Sequence, residues 1–214
     1  MEEERRSEPV FYTTLEHEGE AEFTEKKSRF LTYLAPVESE AEATAFIAKI
    51  AAAHREAAHV VYAYSLLDRQ IKRFSDAGEP QGTAGMPTLE VLLHKELYNV
   101  ALATVRYFGG VLLGTGGLTR AYSKGASDAV AAAKIITRTW GDIISITIPY
   151  NLYGRLSPFL ISKGVPIIDS DFSDTVSITV FSPATKTDSL CADIVELTAA
   201  CAKIERKNQL FFDI

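Results

Sequence analysis

Cysteine is scarce in this chain: Cys191 and Cys201 are the only two in 214 residues. Their ten-residue spacing, inside one amphipathic stretch, suits neither a zinc knuckle nor a redox pair. Both read as reduced core thiols, so no disulfide framework, metal site or other cofactor is expected. No apolar run approaches the roughly 18 residues that cross a bilayer. The opening MEEERRSEP is acidic where a secretory leader needs a basic end and an apolar stretch. The expectation is a cytoplasmic protein with no membrane partner. The P-loop, the His-Glu-x-x-His zinc helix and the nucleophile elbow are missing as well, which removes the common complete catalytic signatures.

What remains is the composition of a folded protein, 47% hydrophobic and 23% charged. The formal charge of -6 is unevenly spread. Nine of the 28 acidic residues fall in the first 25 positions, whereas residues 26 to 135 hold 13 Lys+Arg against 10 Asp+Glu. An acidic chain can therefore still carry a basic face, and binding depends on how the cations cluster. Length alone favours two compact units. Residues 1–14 are expected to be an acidic flexible lead-in, residues 15–137 an N-terminal domain and residues 138–214 a C-terminal one.

The coarse pattern is α+β. Thr24 to Val37 reads as a strand pair or one long bent strand, interrupted by Lys26-Lys27-Ser28-Arg29. Ser39 followed three positions later by Glu42 is a capping box, predicting a helix from about Ser39 to Ala53. Val60 to Leu67 and Ile71 to Phe74 suggest a hairpin turned near Asp68-Arg69. A loop from Asp76 to Pro87, a helix Leu89 to Glu96, a strand Asn99 to Phe108 and a long helix from about Leu118 to Lys134 complete this half. After Trp140-Gly141 the series is strand Asp142 to Pro149, helix Leu152 to Lys163, strands Val165 to Phe172 and Thr175 to Phe181, helix Lys186 to Ala200, strand Lys203 to Phe212. That βαββαβ order is ferredoxin-like.

Two segments carry most of the information: Ser75-Asp76-Ala77-Gly78-Glu79-Pro80-Gln81-Gly82-Thr83-Ala84-Gly85, and the run from Arg106 through Gly109-Gly110 and Gly116-Gly117 to Ser123. With Lys27-Ser28-Arg29-Phe30 and Ala58-His59-Val60-Val61-Tyr62-Ala63-Tyr64 they resemble, in order and spacing, the signature blocks of the YigZ/IMPACT family. The resemblance spans residues 24 to 134. It implies a ribosomal protein S5 domain 2-like N-terminal domain followed by a ferredoxin-like C-terminal domain. It also implies a role in translation or its control, since the eukaryotic relatives regulate the amino-acid-starvation response through a protein partner. Members commonly have a second acid where Ala77 stands, and lysines where Met86 and Leu112 stand.

Read by their chemistry, Gly109, Gly110, Gly116 and Gly117 supply bare backbone between a strand and a helix, where exposed N–H groups and the positive helix end favour an anion. Arg106 and Arg120 could add charge-assisted bonds. The alternative is that these glycines simply allow close packing. Asp76 and Glu79 could serve as an acid and base pair with His59. Alternatively, Asp76 organises its own turn and Glu79 pairs with Arg106 or Arg120. His59 is either a proton donor or a hydrogen-bonded, half-buried ring. The candidate ligand-binding set is Arg29, His59, Asp76, Glu79, Arg106, Gly109, Gly110, Gly116, Gly117, Arg120 and Tyr122, and the expected partner is RNA or a ribosome-associated protein. Two competing functions are a hydrolase or phosphate-handling enzyme using Asp76, Glu79 and His59, and a protein-protein adaptor whose motifs only build the fold.

Overall fold

A computed structural model describes residues 10–213. The chain divides into two compact units, Tyr12–Thr137 and a second whose described residues are 10–11 and 138–213. Of the acidic lead-in expected over residues 1–14, residues 1–9 lie outside the described residues. The remainder differs from expectation, because Phe11–Leu15 forms strand β1. Tyr12, Thr14 and Leu15 are buried there, and this apolar, β-branched run outweighs the acidic residues around it.

In the first unit, β2 (Gly19–Glu25) and β3 (Ser28–Pro36) form a hairpin. Helix α1 (Glu40–Ala53) follows, capped as the Ser39/Glu42 pattern predicts: Glu42 N–H donates to Ser39 Oγ at 3.2 Å. Then come β4 (His59–Ser65), β5 (Lys72–Ser75), α2 (Gly85–His94), β6 (Val100–Tyr107) and α3 (Thr115–Ala132). The sheet runs β2-β3-β6-β4-β5, which places β6 at its centre.

Alternation along β6 explains the layers. Ala101, Ala103 and Val105 join Phe46 and Ile50 of α1 in one core. Val100 and Leu102 join Leu89 and Leu92 of α2 and Ala126, Ala129 and Val130 of α3 in another. Both faces of the sheet are therefore covered, and β6 is buried from Val100 to Arg106 and apolar apart from Thr104 and Arg106, as suits a doubly covered strand. Gly125 lets α3 approach closely, since a Cβ there would lie 2.7 Å from Thr32 Oγ1.

In the second unit, β7 (Ile135–Ile148, shared across the boundary), α4 (Tyr150–Ser162), β8 (Ile167–Phe172), β9 (Val176–Pro183), α5 (Thr187–Leu197) and β10 (Lys203–Asp213) give the expected βαββαβ series. The strand order is β10-β7-β9-β8, antiparallel throughout. Ile144, Ile146 and Ile148 alternate onto one face, where Leu156 and Leu160 of α4 and Leu190 and Ile194 of α5 cover them. The expectation of two core thiols is half corrected: Cys191 packs against this core, but Cys201 lies beyond the end of α5 and is exposed. No helix of the described residues is long and apolar enough to cross a membrane.

Candidate functional site

The register across the first sheet sets Arg106 between two signature residues, with Phe30 opposite it on β3 and His59 opposite it on β4. Arg106 is 5% exposed and its guanidinium lies 5.6 Å from the Phe30 ring centroid. A buried guanidinium needs a counter-charge. Glu79 supplies it: Arg106 Nη1 donates to Glu79 Oε1 at 2.7 Å, and the Tyr122 hydroxyl donates to the same oxygen at 2.7 Å. Burial pushes the Tyr122 hydroxyl well above its ordinary pKa, and the Glu79 hydrogen bond and charge raise it further. Tyr122 is thus a fixed donor, not an acid.

Ser28 extends the network, with its Oγ accepting from Arg106 Nη2 at 3.5 Å and from Gly109 N–H at 3.3 Å. Arg106 Nε is buried with no hydrogen-bond partner among the described residues. His59 Nδ1 donates to the Ala77 carbonyl at 2.9 Å, and its Nε2 stands 3.9 Å from Glu79 Oε2, beyond hydrogen-bonding reach.

Asp76 does something different. Its carboxylate accepts N–H bonds from Gly82 at 2.8 Å, Ala84 at 3.0 Å and Gly85 at 2.8 Å. Burial alone would raise its pKa, but the three backbone donors outweigh burial and hold the carboxyl below its ordinary range. Asp76 therefore caps α2 from nine positions away. This explains why the helix starts at Gly85, ahead of the expected Leu89, and Pro87 fits in its first turn, where no N–H is needed.

The glycine-rich run divides by role. A Cβ on Gly109 would sit 2.0 Å from the Lys27 carbonyl carbon and oxygen, so this glycine is a packing requirement. Gly110 has φ +81 with open space around its α-carbon, so it serves the turn. Gly116 and Gly117 lie within the first turn of α3, three residues earlier than the sequence pattern places the helix. Gly116 faces only Arg120, whose Nη1 would lie 3.6 Å from a Cβ there.

Of the candidate set, Glu79, Arg106 and Tyr122 converge on one buried network, with the half-buried His59 at its edge, bonded to the Ala77 carbonyl. Asp76 adjoins it as a cap. Arg29 stands apart on the sheet surface in a two-bond pair with Glu22, at 2.5 and 2.8 Å. The acid and base pair is not assembled, because Asp76 is occupied by backbone donors and Glu79 is neutralised by Arg106. Among the described residues no cluster of His, Cys, Asp or Glu is arranged to hold a metal ion.

Arg120 lies on an open groove of about 230 Å³, lined also by Phe23, Glu25, Lys26, Leu113, Gly117, Ala121 and Lys124. Sequence reading did not place Lys26 and Lys124 in the candidate set, yet both line this groove. The available signal was the lysine pair breaking a strand: the β2-β3 register leaves Lys26 and Lys27 as a two-residue turn with φ +45 and +67. Lys124 ion-pairs with Asp128, and its ammonium lies 4.9 Å from the Phe23 ring centroid.

These features define a two-unit α+β protein whose signature motifs fall on β4, β6, the loop before α2 and the start of α3, followed by a ferredoxin-like unit. Residues 26–130 match the Impact N-terminal domain, and residues 146–200 match a domain of unknown function, DUF1949. The chain is 34% identical over 203 residues to IMPACT family member YvyE of Bacillus subtilis (strain 168), covering 94% of each. It is also 34% identical over 176 residues to IMPACT family member YigZ of Escherichia coli (strain K12), covering 81% of this chain and 86% of the relative. A solved structure described as a hypothetical protein superposes with a TM-score of 0.61 at 29% identity, covering 94% of this chain and 98% of the other. The chain belongs to the IMPACT family.

Proposed function

We propose that this chain is a cytoplasmic, translation-associated binding protein that engages RNA or a ribosome-associated partner through the glycine-rich face of its first unit. The observation that carries the proposal is the Lys26-Lys27 turn beside the Arg120 groove. A two-residue hairpin turn with both positions left-handed favours Asn-Gly, and an L-residue with a bulkier side chain there costs roughly 1–2 kcal/mol. Two lysines in that conformation place cations where a cheaper sequence would place none, which is the kind of strain found at binding sites. Membership in the IMPACT family supports translation as the setting.

Association of the full chain with purified ribosomes, followed by co-sedimentation across a salt series, tests the proposal. Arg120→Glu and Lys27→Glu are expected to weaken association about tenfold or more and to flatten its salt dependence, because each replaces a cation at the contact. Association indifferent to both substitutions, or none at low salt, would reject this face as the binding surface.

A further inference from the structure

We infer that the glycine-rich face receives an acidic protein segment with an apolar side, not a nucleic acid; this rests on the reading that the face is a binding surface. The loop between β6 and α3 exposes Phe108 at 51%, Val111 at 39% and Leu112 at 82%. These side chains stand on a fixed base. Gly109 packs on the Lys27 backbone and its N–H is held by Ser28 Oγ, while Leu113 is buried in a cluster with Phe30, Leu118 and Tyr122. Exposure here is therefore not the fraying of a loose loop.

Aliphatic side chains offer nothing to RNA, which is held by phosphate charge and by stacking on π faces; Val111 and Leu112 provide neither. Phe108 could stack a base, but Tyr122 is fully buried, and Arg106, the natural phosphate ligand beside this loop, is enclosed and paired with Glu79. An apolar centre with a charged margin is the anatomy of a protein interface.

The margin is predominantly basic. Lys26, Lys27 and Arg120 are exposed, and the charged group of none of them makes a hydrogen bond or ion pair with another described residue, whereas Lys124 is matched by Asp128. Glu25 is the single acid lining the groove. Cations beside an apolar patch, joined to it through Gly109 on Lys27 and Leu113 in the Arg120 groove, select a partner that brings carboxylates beside an apolar stripe, as an amphipathic acidic helix does.

The test titrates the full chain with three defined probes: a short helical peptide with leucine and phenylalanine on one side and glutamates along its flanks, the same peptide with lysine for glutamate, and an oligouridine RNA. The acidic peptide is expected to bind, and to weaken about tenfold or more both with Leu112→Lys and with Arg120→Glu. The lysine peptide should not bind. Because Leu112 is largely in solvent, its replacement leaves the fold intact and any change reports the surface.

Failure of the acidic peptide to bind overturns the inference. Oligouridine binding that tightens with Leu112→Lys overturns it too, while leaving the face a binding surface for RNA. Ribosome association that ignores Arg120→Glu and Lys27→Glu is the separate outcome that rejects the face itself.

Discussion

Among the described residues each unit buries one carboxylate, and the two are held by opposite strategies. Glu79 in the first unit is matched by a buried cation, Arg106, and by the Tyr122 hydroxyl. Asp142 in the second is matched only by neutral donors: Thr187 Oγ1 at 2.6 Å and Gln209 Nε2 at 3.0 Å. Both act as ties between elements. Glu79 joins the loop before α2 to β6 and α3, and Asp142 joins β7 to α5 and β10. They differ in what happens when one partner is lost. Removing a cation from a buried pair leaves an uncompensated charge, while removing a hydroxyl leaves one unfilled acceptor. The unit carrying the family's signature blocks is thus the one whose architecture depends on charge balance. The signature residues Glu79, Arg106 and Tyr122 hold the loop before α2, β6 and α3 together, and the binding proposed above is assigned instead to the lysines and Arg120.

Arg106→Met should break this comparison hardest. It is expected to destabilise the first unit by about 3–5 kcal/mol, the range for a buried ion pair stripped of one partner. Amide hydrogen exchange, read separately for residues 12–137 and 138–213, measures this. The double replacement Glu79→Leu/Arg106→Met should recover much of the loss, because the uncompensated charge goes with it. If the single and double replacements were equally damaging, charge balance would not be the reason. Thr187→Val, nearly isosteric, should act in the second unit alone and cost less, about 1–3 kcal/mol for a buried acceptor left short of a donor. Equal losses for Arg106→Met and Thr187→Val would erase the distinction between the two ties.

The same contrast bears on what the sequence could reveal. The second unit was legible because its core obeys simple alternation: Ile144, Ile146 and Ile148 lie on one face, and each helix is apolar on one side. Its strand β7 runs seven residues further back than the pattern after Trp140-Gly141 suggests, since the apolar face that marks a strand fades there while pairing with β10 continues to Arg138. In the first unit local signals worked where the partner is local, as at the Ser39/Glu42 cap. They failed where it is distant: the start of α2 depends on Asp76, and no window centred on Leu89 contains it.

The site followed the same division. Pairing of Glu79 with an arginine and the turn-forming role of Asp76 were among the alternatives the residue types allowed. The groove was not, because Phe23 and Lys26 reach Arg120 and Lys124 only through the β2-β3 hairpin and α3, brought together by the packing of the sheet. Exposure of Leu112, which marks the surface most directly, has no signature in sequence at all.

The smallest expected effect concerns Asp76, the carboxylate held by backbone N–H groups and by no side chain. Its ordinary value is 3.8 and the folded protein holds it lower, because three backbone donors outweigh burial. A group whose pKa is depressed by folding adds stability that is fully present above the unfolded value and disappears as pH falls through the folded one. Asp76→Asn keeps the shape and one accepting oxygen but removes the charge and the second acceptor, so the variant should be less stable than wild type at pH 7, by about 1 kcal/mol as for a typical cap. That gap should narrow on acidification, beginning near pH 4 and reaching its minimum once Asp76 is protonated in the folded state. Glu16 and Glu22, also held low by Lys134 and Arg29, are present in both proteins and cancel in the difference. Urea unfolding of both proteins, or exchange of amides in residues 12–137, at pH 7 and at successive steps below pH 4 measures the gap. A gap that stays constant down to full protonation would mean that the carboxamide fails by geometry and that the charge on Asp76 contributes nothing; a gap that widens with acid would contradict the depressed pKa itself.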